Sequence, residues 1–432
     1  DRTTPPLLRL HAQQLSDQVF QLVTSFHHVY LDGWSLAALM TELLQDYAAL
    51  REGSGKTIVA PRLHYREFIA LEKSAIASLE TRAFWQEKLS GAQIQMLPRW
   101  PKAMRKGGHE QVRGPEIEFE ENILSGLKHL AQTAGVPLKT VLLAAHQKVM
   151  SLLYGQTDVI SGLVCNGRPE DIDGEKVIGL HLNTAPLRVQ LKPGTWLDLV
   201  KQTFAAEQEM LPHRRFPLAE IQQLNGGQPV FEAAFDFVHF HVYKNLEGCR
   251  NMGFMEGHYF EANNLTLLTT FMLDITSTQL QMHFDYDPNL LCPEQIREMC
   301  GHYANVLAAM AANPKERFDT FSPLSSEEKQ RILLQWNATD QGFPRDKCVH
   351  ELFEAQAART PEAVAVTFEG KSLTYGQLNG QADAVAAALR DLKVGPETVV
   401  GLCAERSPAM VAALLGVLKA GGAYLPLDPG YP

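Results

Sequence analysis

The sequence lacks most of the features that would mark a special environment. Its six cysteines (Cys165, Cys249, Cys292, Cys300, Cys348 and Cys403) are scattered over 432 residues without a CxxC pair. That sets aside a disulfide framework, and they read as reduced thiols of a cytoplasmic protein. No apolar run approaches the length of a membrane span, and the N-terminus carries no signal-peptide pattern. Concentrated positive charge is also missing. The net charge of −10 argues against nonspecific nucleic-acid binding. There is no initiator Met: the chain opens on Asp1-Arg2-Thr3-Thr4, stops at Leu427-Asp428-Pro429-Gly430-Tyr431-Pro432, and reads as a piece of something larger. What is present is ample material for cores, 45% apolar with 20% charged residues. At about 150 residues per domain the length predicts two to four lobes.

One stretch stands out, Phe26-His27-His28-Val29-Tyr30-Leu31-Asp32-Gly33-Trp34-Ser35. Upstream, Gln18 to Phe26 alternates and predicts a largely buried strand. Downstream, Leu36, Leu39, Met40, Leu43, Leu44 and Tyr47 form one apolar stripe at helical spacing. The histidines therefore fall where a strand ends and a helix begins. Adjacent strand residues face opposite ways, so one histidine should reach reacting atoms while the other is held in the wall. An imidazole can exchange a proton near neutral pH. The carboxylate of Asp32 can fix the backbone, pair with a cation or cap the helix, and Gly33 leaves room. Spacing alone equally allows a packed histidine, a surface histidine and a simple helix-capping Asp. Two adjacent His and one Asp without a further ligand nearby do not suggest a metal site.

Two strands, Leu7–Leu10 and Val19–Phe26, precede the first helix, and a long helical region is predicted from about His64 to Leu89. Leu97 to Gly114 reads as an exposed crossing segment whose cations (Arg99, Lys102, Arg105, Lys106, Arg113) are solvated and without function. Helices follow, one ending at Gly135 and another running from Pro137 to Gly155. Asp158–Val164 is a strand, ending in Asn166-Gly167-Arg168-Pro169. Val230–Val242, Leu265–Thr276 and Thr278–Tyr286 predict an antiparallel meander. His239 and His241 on one face suit packing better than ligation. Ser322 to Asp346 is a polar linker. Beyond it, strand and helix alternate, with a capping box at Thr374 and Gln377, as in the start of a doubly wound α/β domain.

Taken together, several stretches resemble a known family. His27-His28-Val29-Tyr30-Leu31-Asp32-Gly33 is similar to the HHxxxDG signature of condensation domains of nonribosomal peptide synthetases, a signature shared with chloramphenicol-acetyltransferase-like enzymes and epimerisation domains. Tyr65-Arg66-Glu67-Phe68, Gly167-Arg168-Pro169, Ile178-Gly179-Leu180-His181-Leu182-Asn183-Thr184 and His213-Arg214-Arg215-Phe216-Pro217-Leu218 resemble further motifs of that family. Leu373-Thr374-Tyr375-Gly376-Gln377-Leu378 and Leu418-Lys419-Ala420-Gly421-Gly422-Ala423-Tyr424-Leu425-Pro426-Leu427-Asp428 resemble the first two core motifs of adenylation domains.

The resemblance implies an α/β fold of two acetyltransferase-like α+β lobes with a tunnel between them, the first lobe truncated, then the start of an adenylation domain. The implied bounds are a condensation domain at 1–321 (lobes about 1–115 and 116–321), a linker at 322–346 and an incomplete adenylation domain at 347–432. The implied reaction joins a carrier-bound aminoacyl amine to an upstream carrier-bound acyl or peptidyl thioester. Epimerisation or ester formation, and a non-catalytic docking platform, are the alternatives. Partners would be upstream (donor) and downstream (acceptor) peptidyl carrier proteins, and no nucleic acid or membrane. No cofactor is bound by these residues: substrates ride on 4'-phosphopantetheine arms, and ATP and Mg belong to a complete adenylation domain. The implied site residues are His28 (base or amine-orienting group), Asp32 and Gly33, supported by His27, Trp34, Arg168 and Asn183. His181 stands where the family usually has an aromatic or apolar residue. The family's early RHxxLR motif, whose Arg commonly pairs with the Asp, is absent. The expectation is therefore that Asp32 has lost its partner and that this polypeptide is inactive alone.

Overall fold

The computed structural model describes residues 5–53, 60–92, 94–105, 107–108, 111–239, 264–274 and 276–430. It divides into two compact units, Asp1–Leu333 and Leu334–Pro432.

The first unit begins with an antiparallel hairpin, β1 (Leu8–Gln14) and β2 (Phe20–Phe26), followed by helix α1 (Gly33–Arg51). β2 alternates as expected but is half-exposed rather than buried, because among the described residues it pairs with β1 alone. Val23, Leu43, Tyr47 and Leu50 are exposed in the same region. The predicted long helix is two: α2 (Tyr65–Ala77) and α3 (Leu79–Lys88). Ser78 ends one and caps the other, its hydroxyl accepting the Thr81 N–H at 3.1 Å. A serine three residues ahead of a free N–H competes with helix continuation by offering a cap.

The remainder of the unit is built on a seven-stranded sheet: β3 (Val112–Arg113), β4 (Ile117–Phe119), β5 (Asp158–Asn166), β6 (Leu182–Gln190), β7 (Ala233–Val238), β8 (Leu267–Leu273) and β9 (Leu280–Tyr286). Its order is β3-β9-β8-β7-β5-β6, with β4 also on β9. The predicted antiparallel meander is corrected: β8 and β9 are antiparallel, but β7 runs parallel to both β8 and β5. Apolar runs flanked by turns look alike in either orientation, so the pattern could not distinguish them. His239 lies just past β7, 3.3 Å from the Ser277 hydroxyl; His241 falls outside the described residues.

Helices α4 (Glu121–Ala134), α5 (Leu138–Tyr154), α6 (Trp196–Met210), α7 (Leu218–Leu224) and α8 (Pro293–Ala312) complete the unit. α4 and α5 stop where expected, at Gly135 and Gly155, both with φ near +68°. There the next N–H turns back to a carbonyl five residues earlier, a geometry glycine adopts without strain. Leu127 and Leu130 of α4, Val141 and Leu142 of α5, and Tyr303 and Leu307 of α8 share one core with Leu163, Phe235, Phe271 and Phe284 of the sheet. The supposedly solvated cations are largely fastened: Arg99 pairs with Glu232, Arg113 with Asp285 at 3.1 Å, and Arg105 donates to the Trp100 carbonyl. The first part of the predicted linker is fastened too. It holds helix α9 (Ser326–Gln330), and His302 of α8 meets Glu328 at 3.0 Å.

The second unit contains α10 (Val349–Arg359), β10 (Val364–Phe368), β11 (Lys371–Thr374), α11 (Tyr375–Asp391), β12 (Val399–Cys403), α12 (Pro408–Lys419) and β13 (Ala423–Leu427). β10 and β11 are antiparallel, while β12 and β13 are parallel, joined by α12 as a βαβ element. The predicted capping box is present: Thr374 Oγ1 accepts from Gln377 N–H, and Gln377 Oε1 from Thr374 N–H. Lys419 is buried and bound by Asp383 at 2.7 Å and Glu354 at 3.0 Å, tying α12 to α10 and α11. No helix among the described residues is long and apolar enough to cross a membrane.

Candidate functional site

β2 ends at Phe26, so the two histidines lie in a turn rather than on strand faces. His27 extends the hairpin by one hydrogen bond, N–H to the Leu7 carbonyl at 3.0 Å, and its own carbonyl accepts from Tyr30 N–H at 2.9 Å. Its Nδ1 accepts the Val29 N–H at 3.1 Å, so this imidazole is used in shaping the turn. His28 follows, half-buried, its ring 5.9 Å from that of Phe26. The chain then enters the interior at Leu31 and Asp32, which are 1% and 0% exposed.

Asp32 caps α1, with Oδ1 accepting Ser35 N–H at 2.7 Å. Gly33 is the first helical residue, where backbone N–H groups have no intrahelical acceptor. It adopts helical geometry and needs no unusual backbone angle. Trp34 donates from Nε1 to the Glu175 carbonyl at 3.0 Å.

The expectation that Asp32 has lost its cation is overturned. Arg168, from the loop after β5, donates from Nη2 to Asp32 Oδ1 at 2.8 Å, both side chains being at least 95% buried. The same Nη2 reaches Ser35 Oγ at 2.7 Å, while Nη1 donates to the Val177 carbonyl. Ser35 Oγ donates to the Gly179 carbonyl at 2.7 Å and accepts from Gly179 N–H and Arg168, exhausting a hydroxyl's capacity. Asp32 N–H also reaches the Gly179 carbonyl at 3.2 Å, and Asp32 Oδ2 accepts His181 N–H at 3.0 Å. Sequence reasoning missed Ser35. The available signal was its place three residues after an Asp cap, which turns it back toward the helix start.

Tyr65 and Phe68, one turn apart on α2, close this joint from another side. Tyr65 donates to the Leu180 carbonyl at 2.7 Å, and both rings pack edge-on against His181. A side chain at Gly179 would fall on the Tyr65 ring, so the close approach requires glycine. Glu67 accepts the His64 N–H at 2.8 Å and so caps the helix. Asn183 of β6 donates to the carbonyls of Arg214 and Phe216, both at 2.8 Å, and accepts Leu218 N–H. Arg215 returns to the carbonyls of Gly167 and Arg168 at 2.8 and 2.9 Å. Three segments scattered over the sequence thus meet at one buried carboxylate, and α2 and the 213–218 stretch hold two of them from behind. Beside it a groove of about 560 Å³ is lined by Asn166, Arg168, Glu170, Glu175 and Arg214, among others.

Burial alone would raise the Asp32 pKa; the His181 ring at 3.5 Å, the Arg168 charge and the Ser35 donors outweigh it and hold the carboxyl at about 2. A folded pKa below the unfolded one stabilises the protein above about pH 4 and ceases to do so as pH falls through 2. The contribution is about 2 kcal/mol. Urea titrations between pH 4 and 2 should therefore show a slope that is reduced in Asp32→Asn.

Comparison with known proteins identifies the architecture. A condensation domain family model matches residues 1–333. The chain belongs to the condensation domain family. The AMP-binding enzyme model matches residues 353–432, after the condensation domain. The chain is 32% identical over 448 residues to bacitracin synthase 3 of Bacillus licheniformis, covering 100% of this chain and 7% of that protein. It is 30% identical over 441 residues to gramicidin S synthase 2 of Brevibacillus brevis, covering 100% and 10%. The chain therefore spans no more than about a tenth of the length of these relatives. Its fold is that of the first condensation domain of the calcium-dependent antibiotic synthetase in complex with a substrate analogue (TM-score 0.59, 18% identity, 74% and 73% of the two chains). It is likewise similar to a four-domain nonribosomal peptide synthetase bound to AMP and glycine (TM-score 0.67, 17% identity, 100% and 34%).

Proposed function

We propose that the condensation domain forms an amide between two carrier-bound substrates. The amine of an aminoacyl thioester attacks the carbonyl carbon of an acyl or peptidyl thioester; a C–N bond forms, the C–S bond breaks, and the chain passes to the downstream carrier. The thioesters hang on 4'-phosphopantetheine arms of peptidyl carrier proteins, which are the expected partners. The adenylation segment carries no ATP chemistry in this proposal.

The observation that carries this reading is the Asp32–Arg168 joint, which fixes the segment bearing His28 at the head of α1. An α-amine has a pKa of about 8 and begins mostly as ammonium at neutral pH, so a proton must leave before or during attack. His28 is the group assigned to take that proton or to aim the amine. Such positioned proton transfer contributes about 10²–10⁴ in rate. Gly33 N–H, free of intrahelical bonding, is a donor for the carbonyl oxygen as it gains charge. His27 and Asp32 act through the backbone they hold.

The test supplies donor- and acceptor-loaded carriers to the synthetase module and reads the acceptor by mass spectrometry. The expected result is an acceptor thioester heavier by the donor acyl group. A donor that is isomerised without being transferred, or left untouched while the carriers bind, would overturn the proposal.

A further inference from the structure

The two oxygens of Asp32 are held differently. Oδ1 takes Arg168 Nη2 at 2.8 Å and Ser35 N–H at 2.7 Å. Oδ2 takes the backbone N–H of His181 at 3.0 Å, and beside it lies Nδ1 of the same residue, 3.5 Å away. The His181 ring is fully buried, its centroid 5.1 Å from that of Tyr65 and 4.9 Å from that of Phe68. Neither ring nitrogen makes a hydrogen bond of ordinary geometry. A buried N–H without an acceptor is costly. Of the two nitrogens, Nδ1 is the one beside a carboxylate, so it is the one placed to present a proton to an acceptor. The His181 carbonyl meanwhile accepts Gly167 N–H at 2.7 Å, next to Arg168, so this one residue touches both members of the ion pair's framework.

We infer that His181 is a positioning residue: its Nδ1–H steadies Oδ2 of Asp32 while Arg168 holds Oδ1, and the two together stop the carboxylate, and the turn bearing His28, from rotating about the start of α1. This rests on the condensation reading for its role in the reaction, though not for the contact itself. The charged and titratable groups facing the ring include Asp32 at the N-cap of α1 and Tyr65 on α2, with Arg168 of the loop after β5 on the other oxygen of Asp32. Behind them, Glu175 acts on Arg168 and Glu72 on Tyr65. His181→Phe keeps the ring volume against Tyr65 and Phe68 but removes the donor; His181→Asn keeps an amide N–H near the Nδ1 position.

The experiment compares acid unfolding of the full chain with its His181→Phe and His181→Asn variants, in wild-type and Asp32→Asn backgrounds. Loss of the donor should let Asp32 protonate at higher pH, so His181→Phe should raise the acid midpoint by about half a pH unit. His181→Asn should recover part of that shift, and the Asp32→Asn background should abolish it. An unchanged midpoint in His181→Phe, or an equal shift in both backgrounds, would mean that the ring only fills space. Histidine ¹⁵N shifts of the unmutated chain test the same point without a substitution: a protonated Nδ1 and bare Nε2 are expected, and the reverse overturns the assignment. Condensation by the module, measured across pH, separates the two levels. If the unmutated module makes amide and His181→Phe matches it at every pH, the positioning role fails. If the unmutated module makes no amide while the acid shift is present, the condensation reading fails and the contact stands.

Discussion

Arg168→Ala should lower the unfolding free energy of the condensation unit by about 3–5 kcal/mol, the usual result of removing one partner of a buried ion pair. The loss is large because the substitution strands several groups at once. Asp32 keeps its charge in a nearly dry site, Ser35 Oγ loses one of its donors, and the Val177 carbonyl loses the guanidinium that faces it. Arg168→Lys should recover little. One Nη of the planar fork serves Asp32 and Ser35 while the other turns to the backbone, and a single ammonium cannot span both. Changing both charged partners, with Asp32→Asn and Arg168→Gln, should cost less than Arg168→Ala, since no uncompensated charge remains. Urea denaturation at pH 7 reads all four proteins.

His28→Ala should have the opposite signature: condensation falls by about 10²–10⁴-fold while the urea midpoint barely moves. His28 is half-buried, and the bonds from His27 N–H to Leu7, from Tyr30 N–H to His27 and from Val29 N–H to His27 Nδ1 do not involve its side chain, so its removal leaves those bonds in place. His28→Gln divides the two roles open to the imidazole. A glutamine can hold an amine by hydrogen bonding but cannot accept its proton, so if proton transfer dominates, His28→Gln should be as slow as His28→Ala. If orientation dominates, much of the rate should return. The pH–rate profile gives a second reading, because a base contributes a rising limb that the alanine variant would lack.

How much of this was legible in the sequence depended on how local the determining interaction was. The Gly135 and Gly155 stops and the Thr374–Gln377 capping box lie within a few residues of what they determine, and they were readable as written. The break at Ser78 was just as local but was overlooked, because Tyr65 through Trp85 keeps enough apolar periodicity to pass for one helix. The parallel placement of β7 was not readable, since strand direction is set by which surfaces the intervening chain must cover. At the site, the motif segments could be recognised singly but their mutual contacts could not. Arg168 is 136 residues from Asp32, and no periodicity links them. The family's upstream motif was the expected source of a cation, while the loop after β5 already held one. Ser35 illustrates the same limit, because its partners are the backbone of Gly179 and the side chain of Arg168.

The central claim is that the buried joint serves the reaction by holding the histidine turn in place. The most direct measurement is a double-mutant cycle in the synthetase module, reading single-turnover amide formation between loaded carriers for the unmutated protein, His28→Ala, Arg168→Gln and the double variant, each under conditions where it is folded. If Arg168 acts through the turn that bears His28, the double variant should be about as slow as His28→Ala alone, because nothing is left to position. Losses that simply multiply would show that the joint and the histidine contribute independently, and would contradict this account.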